Sequence, residues 1–161
     1  MVAHEIYMQA AYDEAQKAFA NKEVPIGAVV VRNGEIIGAG FNKIELLQDP
    51  TAHAEIIAIR EASSKIGTWI LDECDLYVSV EPCIMCLGAI FQSRIKGIIF
   101  GAGNSRFGAI TTEKDYISLA KTAYMREPCV TAIGGEYEEK CVELLQNFFR
   151  QVRSKNKNEK K

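Results

Sequence analysis

Four residues in two short motifs have the side chains needed for chemistry: His53 and Glu55 in PTAHAEIIAIR, and Cys83 and Cys86 in EPCIMCLGAI. The cysteine pair alone is ambiguous, because C-x-x-C occurs as a redox dithiol, as half of a structural zinc site, as two ligands of a catalytic metal, or with no chemical role. Two cysteines three positions apart on a helix share one face, so their sulfurs can reach one ion. A helix N-terminus also favours negative charge and lowers thiol pKa, which helps to hold two thiolates.

His53 supplies a third candidate ligand. Three protein ligands with no obvious fourth are typical of a catalytic zinc site, which keeps one position open for water, whereas a structural site is closed by four. Zinc lowers the pKa of such a water from about 15.7 to about 7. The other three cysteines have no partner spacing and are predicted to be small buried residues: Cys74, Cys129 and Cys141.

Glu55 lies two residues after His53. In a regular helix that offset places two side chains on nearly opposite sides. Both can therefore face one metal only if the first turn is irregular. If this condition is met, Glu55 lies beside the water without binding the metal and can act as a proton shuttle.

The elements that must position these residues alternate along the chain. Helices are predicted at 4–20, at 113–124 and from 136 to about 154. Another is predicted from Asp49-Pro50-Thr51 to about 65, with Thr51 as its cap, and a further one over PCIMCLGAIFQS, with Pro82 near its first turn. IGAVVVRNGEIIGAGF predicts a hairpin that turns at Asn33-Gly34. A polar loop, NKIELLQDP, follows the hairpin, and three later strands are predicted over DLYVSV, IKGIIFGA and CVTAIGG. This alternation predicts an α/β fold, with a five-stranded sheet and helices on both faces.

Composition narrows the class of protein. The chain has 161 residues, of which 48% are hydrophobic and 25% charged, as in an ordinary globular domain. No run of about 18 apolar residues and no export signal is visible, so we expect no membrane partner and a cytoplasmic location. Five cysteines, an odd number, are then expected to be reduced.

Charge is unevenly distributed. The last twelve residues, RQVRSKNKNEKK, carry a net charge of +5, and the rest of the chain carries −7. A basic end on an acidic body predicts a patch for an anionic partner. A solvated, frayed terminus has the same composition.

Taken together, the two motifs make the chain resemble the cytidine deaminase superfamily, whose zinc enzymes carry His-x-Glu and Pro-Cys-x-x-Cys. Within it, the chain is most similar to the bacterial tRNA-specific adenosine deaminases, which convert a wobble adenosine to inosine. The similarity covers residues 1 to about 153, in EVPIGAVVV, GFN, DPTAHAEIIAIR, LYVSVEPCIMCLGAI, SRIKGIIFGA and LLQNFFRQVR. It implies one zinc-dependent deaminase domain at 1–153, a basic tail at 154–161, and a three-layer α/β/α fold around a mixed sheet.

The resemblance also implies residue roles. One Zn2+ per subunit would be bound by His53, Cys83 and Cys86, with Glu55 as the proton shuttle. The target nucleoside would contact the Asn42 side chain and the Ala54 backbone, although Asn42 could equally shape a turn. The anticodon loop would contact the closing-helix region: Phe148, Phe149 and Arg150. Family members are homodimers that bind a tRNA anticodon stem-loop with both subunits.

Two segments depart from the family pattern. Where relatives commonly have Asp and then Lys after FGA, this chain has Asn104 and Arg106. Asn104 is still expected to contact substrate, because an amide can accept a hydrogen bond from a ribose 2′-hydroxyl, and it repels phosphate less than a carboxylate does. The segment AYMREPCVTAIGG lacks the Asn-His residues often found before the last strand.

The function expected from the resemblance is zinc-dependent hydrolytic deamination of adenosine to inosine at the wobble position of a tRNA anticodon loop. A free nucleobase or nucleoside deaminase, of guanine or cytosine type, shares the same two motifs. A non-catalytic zinc module or a dithiol redox protein also contains C-x-x-C, but that alternative gives Glu55 no role.

Overall fold

The computed structural model describes residues 3–111, 115–132 and 136–158. The elements run in the order α1 (Ala3–Ala20), β1 (Gly27–Arg32), β2 (Glu35–Phe41), α2 (Ile44–Leu47), α3 (Ala54–Ile66), β3 (Cys74–Val80), α4 (Ile84–Gln92), β4 (Gly97–Ala102), α5 (Tyr116–Tyr124), β5 (Cys129–Ala132) and α6 (Glu136–Asn158). The predicted alternation of strands and helices is confirmed.

The hairpin forms where the sequence predicts it. Asn33 and Gly34 both have positive φ, at 51° and 82°. A two-residue turn with this backbone matches the right-handed twist of the flanking strands and favours Asn-Gly. It pairs Arg32 with Glu35 and brings β1 and β2 together as antiparallel neighbours.

The five strands form one mixed sheet in the order β2-β1-β3-β4-β5. β1 pairs antiparallel with both β2 and β3, and β3, β4 and β5 are parallel. Parallel neighbours need a crossover, which α4 and α5 provide. The predicted five-stranded sheet, with a hairpin first and parallel strands later, is confirmed.

Alternation along β1 shows why helices cover both faces. Ala28 and Val30 point into a large core with α3 and α4, whereas Val29 and Val31 point into a second core with α1. Strand side chains alternate between the faces of a sheet, so a strand apolar at every position is buried on both sides. The three-layer arrangement follows, with α6 on the same face as α1.

The predicted starts of the two motif helices are wrong by a few residues. The N-cap of α3 is His53, whereas Thr51 donates its N–H and its hydroxyl to Asp49, at 2.8 and 2.7 Å. The N-cap of α4 is Cys83, so the helix starts after Pro82, which lies next to its first turn as predicted. Both helices therefore have metal-ligand candidates at their caps.

Three other boundaries differ from prediction. The loop NKIELLQDP contains one helical turn, α2. α5 begins at Tyr116, and the predicted positions 113 and 114 lie outside the described residues, as do 133–135 of the last predicted strand. α6 extends past 154 to Asn158, so the first five residues of the predicted basic tail are helical, and 159–161 are not described. None of the helices within the described ranges is long and apolar enough to cross a membrane.

Gly38 on β2 has no room for an added methyl group. A Cβ there would come closer than 3.0 Å to backbone atoms of Ala58 and Ala62 on α3. Gly38→Ala should therefore lower the free energy of unfolding by about 1–3 kcal/mol through overpacking. Gly88→Ala is the control, because no atom lies within 4 Å of its Cβ position and the site is helical. That variant should stabilise by about 0.5–1 kcal/mol in the same urea titration. Equal stability of the two variants would contradict the packing of β2 against α3.

Candidate active site

The starts of α3 and α4 bring together all three predicted metal ligands. His53 and Cys83 are both N-cap residues with extended backbones, and Cys86 lies one turn into α4. The Nδ1 atom of His53 is 3.7 Å from the Cys83 sulfur and 3.5 Å from the Cys86 sulfur. One ligand atom from each residue lies within 4.8 Å of the others, close enough for one metal ion to bind all three.

The three ligand side chains differ in exposure. Cys86 is fully buried, whereas His53 and Cys83 are half-buried. The cluster therefore has one side towards the core and another towards the solvent, as a site with an open coordination position requires.

A hydrogen bond joins the two thiols of this cluster. The hydrogen bond from Cys86 lowers the pKa of Cys83 to about 4, so Cys83 is a thiolate near neutral pH. The same bond, together with burial, raises the pKa of the Cys86 thiol. The bond to Cys83 also raises the pKa of His53, against the effect of burial. A metal ion bound here would displace the proton that the two sulfurs share.

Glu55 fulfils the geometric condition set by its spacing from His53. Because the His53 backbone is extended, with φ −74° and ψ 154°, the two side chains are not held on opposite sides of a helix. Glu55 is 3% exposed, and its Oε2 atom has no hydrogen-bond partner. Burial raises the pKa of this carboxyl to about 7. An unpaired buried carboxylate oxygen is costly unless it serves a bound group.

These observations fit a metal ion and an associated water. One imidazole and two thiolates are ligands that zinc prefers, and the unpaired Glu55 oxygen provides an acceptor beside them. The arrangement can hold a cation, acidify a water and move a proton, which are the requirements of metal-assisted hydrolysis.

Asn42 is buried and caps α3. Its Oδ1 accepts the backbone N–H of Ala54 at 2.9 Å, and its own backbone N–H donates to Ile26. Asn42 therefore fixes the turn that carries His53 and Glu55. The Ala54 N–H is therefore already paired within the protein. Contacts of Asn42 and Ala54 with a nucleoside remain predictions.

Glu81 is a functional candidate that the sequence reasoning missed. It directly precedes Pro82-Cys83, is 2% exposed, and accepts four hydrogen bonds from a loop. The donors are the backbone N–H groups of Asn104, Ile110 and Thr111, and the Thr111 hydroxyl, at 2.6–2.9 Å. Burial raises the pKa of Glu81, but these bonds outweigh it and leave the pKa lowered. The one signal in the sequence was an acidic residue at the end of an otherwise apolar strand.

Asn104 holds the same loop. Its Oδ1 accepts the N–H of Phe107 at 3.0 Å, and its carbonyl accepts the N–H of Gly108 at 2.8 Å. Gly108 in turn forms a β-bridge with Cys83. Asn104 thus lies on a loop attached to a metal-ligand candidate, and its contact with substrate remains a prediction.

The closing-helix residues Phe148, Phe149 and Arg150 differ in exposure. Phe148 packs edge-on against Phe19 of α1, with ring centroids 6.2 Å apart, and Phe149 packs on Phe148. Phe149 is 43% exposed, and Arg150 is exposed. Among the other cysteines, Cys74 and Cys141 are buried as predicted. The prediction of a buried Cys129 is wrong, because β5 is an edge strand and leaves this thiol exposed.

Comparisons with known proteins agree with this geometry. The family model described as MafB19-like deaminase matches residues 2–153. The tRNA-specific adenosine deaminase of Bacillus subtilis is 41% identical over 157 residues, covering 98% of this chain and 95% of that protein. A structure from a study of A-to-I editing by tRNA:A34 deaminases at the wobble position of transfer RNA is 38% identical. It covers 88% of this chain and 99% of its own, with a TM-score of 0.80. The guanine deaminase of Bacillus subtilis is 44% identical over 62% of this chain and 64% of its own, with a TM-score of 0.61.

The mixed sheet, the His/Cys/Cys cluster at two helix caps and the buried glutamate beside it define a deaminase of the cytidine deaminase-like fold. Several tRNA-specific adenosine deaminases are about 40% identical to this chain over nearly its whole length, which narrows the class. The chain belongs to the family of tRNA-specific adenosine deaminases.

Proposed function

We propose that this protein is a zinc-dependent tRNA adenosine deaminase that converts the wobble adenosine of an anticodon loop to inosine by hydrolysis. The observation that carries this proposal is the unpaired buried Oε2 of Glu55 beside the cluster of His53, Cys83 and Cys86. Family membership supports adenosine in tRNA as the substrate.

His53, Cys83 and Cys86 would hold one Zn2+ per subunit. When bound by these residues, the ion would supply a nucleophile at neutral pH by lowering the pKa of a nearby water. Cys83, already a thiolate because of its bond from Cys86, favours cation binding. Asn42 keeps the turn that bears His53 fixed through its bond to Ala54.

Glu55 moves the protons. It accepts a proton from the attacking water and transfers it to N1 of adenine, while the water oxygen adds to C6. Glu55 then takes the remaining proton from the oxygen added at C6 and donates it to the exocyclic amino group. The bond between C6 and that nitrogen breaks, ammonia leaves, and the C6 carbonyl of inosine results. A carboxyl whose pKa lies near 7 is suited to both accepting and donating a proton near neutral pH.

The substrate must present an unstacked base, which single-stranded loops do most readily. We propose contacts with the target nucleoside from Asn42, Ala54 and Asn104, and contacts with the anticodon loop from exposed Phe149 and Arg150, with Phe148 as their support. The basic residues at the end of α6 would attract phosphate. We further propose a single deaminase domain at 1–153, a basic tail at 154–161, a homodimer as in the family, and action in the cytoplasm, where tRNA is found.

Deamination of free guanine is a second candidate, favoured by the 44% identity to a guanine deaminase over part of the chain. The NFFR segment and the basic end of the chain favour RNA, since a small-molecule enzyme needs neither. A purely structural or redox role for Cys83 and Cys86 is disfavoured, because it would leave the Glu55 oxygen buried without a function.

A substrate panel distinguishes these candidates. We expect inosine in a tRNA with a wobble adenosine, much less or none in single-stranded DNA of the same loop sequence, and no turnover of free adenosine, cytidine or guanine. Product would be quantified by liquid chromatography after nuclease digestion. Turnover of guanine with an inert tRNA would overturn the proposal.

A further inference from the structure

We infer that Phe107, with Arg106 stacked on its ring, is a nucleobase-stacking surface for a nucleotide next to the target adenosine, held beside the metal ligands by Glu81. This inference rests on the proposed function. Four observations on the loop of residues 103–111 carry it.

The first observation is the exposure of the ring and the cation on it. Phe107 is 62% exposed, and the Arg106 guanidinium carbon lies 4.9 Å from its ring centroid. One face of the ring therefore has a cationic partner. Aromatic rings and guanidinium planes are the groups on which proteins stack unpaired bases, and a cation among them also attracts phosphate.

The second observation is that this loop is tightly fixed, although it exposes an apolar side chain. The four bonds to Glu81 hold both of its arms, at Asn104 and at Ile110-Thr111. The Asn104 side chain holds the N–H of Phe107 itself. Single exposed apolar residues are common on mobile surfaces, but here the backbone that carries the ring has its hydrogen bonds specified.

The third observation is the close approach that the loop requires. A Cβ on Gly108 would collide with the Glu81 carboxylate and the Asn104 carbonyl. The residue after Phe107 is therefore packed directly against the anchor. A carboxylate suits this anchor because every group that faces it is a donor, and an amide would point its own NH2 at one of them.

The fourth observation is the position of the loop next to the candidate metal centre. Gly108 pairs with Cys83, and the Ala109 N–H donates to the Pro82 carbonyl at 3.0 Å. Phe107 is thus one residue from the partner of a metal ligand. A base flipped towards the metal leaves its neighbours in the strand close by, and an exposed ring at this rim can stack on one of them.

The test compares Phe107→Ala with Phe107→Tyr on an anticodon stem-loop RNA. Loss of one base stack should raise KM for Phe107→Ala by roughly 5- to 150-fold, with kcat little changed. Phe107→Tyr keeps the ring and should behave as wild type. Leu119→Ala removes an equally exposed apolar side chain from α5, at 66% exposure, and should have no effect.

Stem-loops that lack one base identify the stacked nucleotide. RNAs with an abasic site on the 5′ or the 3′ side of the wobble adenosine are measured as competitors of the complete stem-loop. We expect one of them to bind wild type and Phe107→Ala equally, because the stacking partner is already absent. A Phe107→Ala penalty that is the same on both abasic RNAs would overturn the inference.

Two further results would also overturn it. Wild-type kinetics for Phe107→Ala would show that the ring has no role in binding. A Phe107→Ala chain that changes its oligomeric state in light scattering would assign the ring to an interface between copies of this chain. The wild-type protein alone tests the proposed function. If it deaminates no stem-loop, the proposed function is wrong, and this result does not depend on any Phe107 variant.

Discussion

Replacing Glu55 with alanine is expected to abolish turnover while the metal stays bound. Glu55 is not among the three clustered ligands, yet its Oε2 is buried beside them without a partner. General acid–base groups contribute about 10²- to 10⁴-fold to rate, so kcat on a tRNA stem-loop should fall by that factor or more. The kcat of Glu55→Gln should fall equally, because glutamine keeps the shape of the side chain but cannot carry the proton.

The measurement pairs kcat with metal content by atomic absorption. Glu61→Gln is the matched control, since it removes an exposed negative charge from the same helix, keeps an oxygen that can accept the Ala39 N–H, and should leave both quantities unchanged. Activity within tenfold of wild type in Glu55→Ala would contradict the proton-shuttle role. Loss of metal in Glu55→Gln would instead make Glu55 part of the metal-holding structure.

Replacing Cys86 with alanine is expected to remove the metal, and activity with it. Cys86 is the fully buried member of the cluster, 3.5 Å from His53 Nδ1. Loss of a partner that merely orients a ligand already costs about 10- to 100-fold in metal affinity, so loss of one of three ligands should exceed that range. Metal content should fall from about one ion per chain to near zero.

Cys141→Ala is the matched control for this variant. Cys141 lies on α6 and is also buried, but it packs with Val80 and Ala102 and is not part of the cluster of His53, Cys83 and Cys86. It should keep the metal and the activity. A Cys86→Ala protein with a full complement of metal would contradict the ligand assignment.

The sequence predicted the fold well because its signals are local. Asn33-Gly34 specifies its own turn, and strands apolar at successive positions, such as Val29 to Val31, predict burial on both faces. Boundaries were less accurate where side chains compete for backbone groups. Thr51 has a good capping side chain, but it bonds to Asp49, and the helix starts later, at a cap that makes no side-chain hydrogen bond.

The clustering of the three metal-ligand candidates was predictable because each lies in a compact motif. The spacing of His53 and Glu55 could not predict the extended backbone at His53. It did predict that both side chains can face one metal only if the first turn is irregular, and the extended backbone meets this condition. Glu81 was not predictable in this way, because its four donors lie 23 to 30 residues further along the chain. The capping role of Asn42, 12 residues from Ala54, was hidden for the same reason. Side-chain to backbone bonds across such distances leave no periodic pattern.

The central claim is that water, activated at this site, replaces the amino group of a wobble adenosine. The most direct measurement is deamination of a tRNA substrate in water enriched in oxygen-18, followed by digestion and mass spectrometry of the nucleosides. We predict inosine at the wobble position only, with one labelled oxygen in its base, and none with the Glu55→Ala protein. Unchanged adenosine at that position, or inosine without the label, would contradict the account.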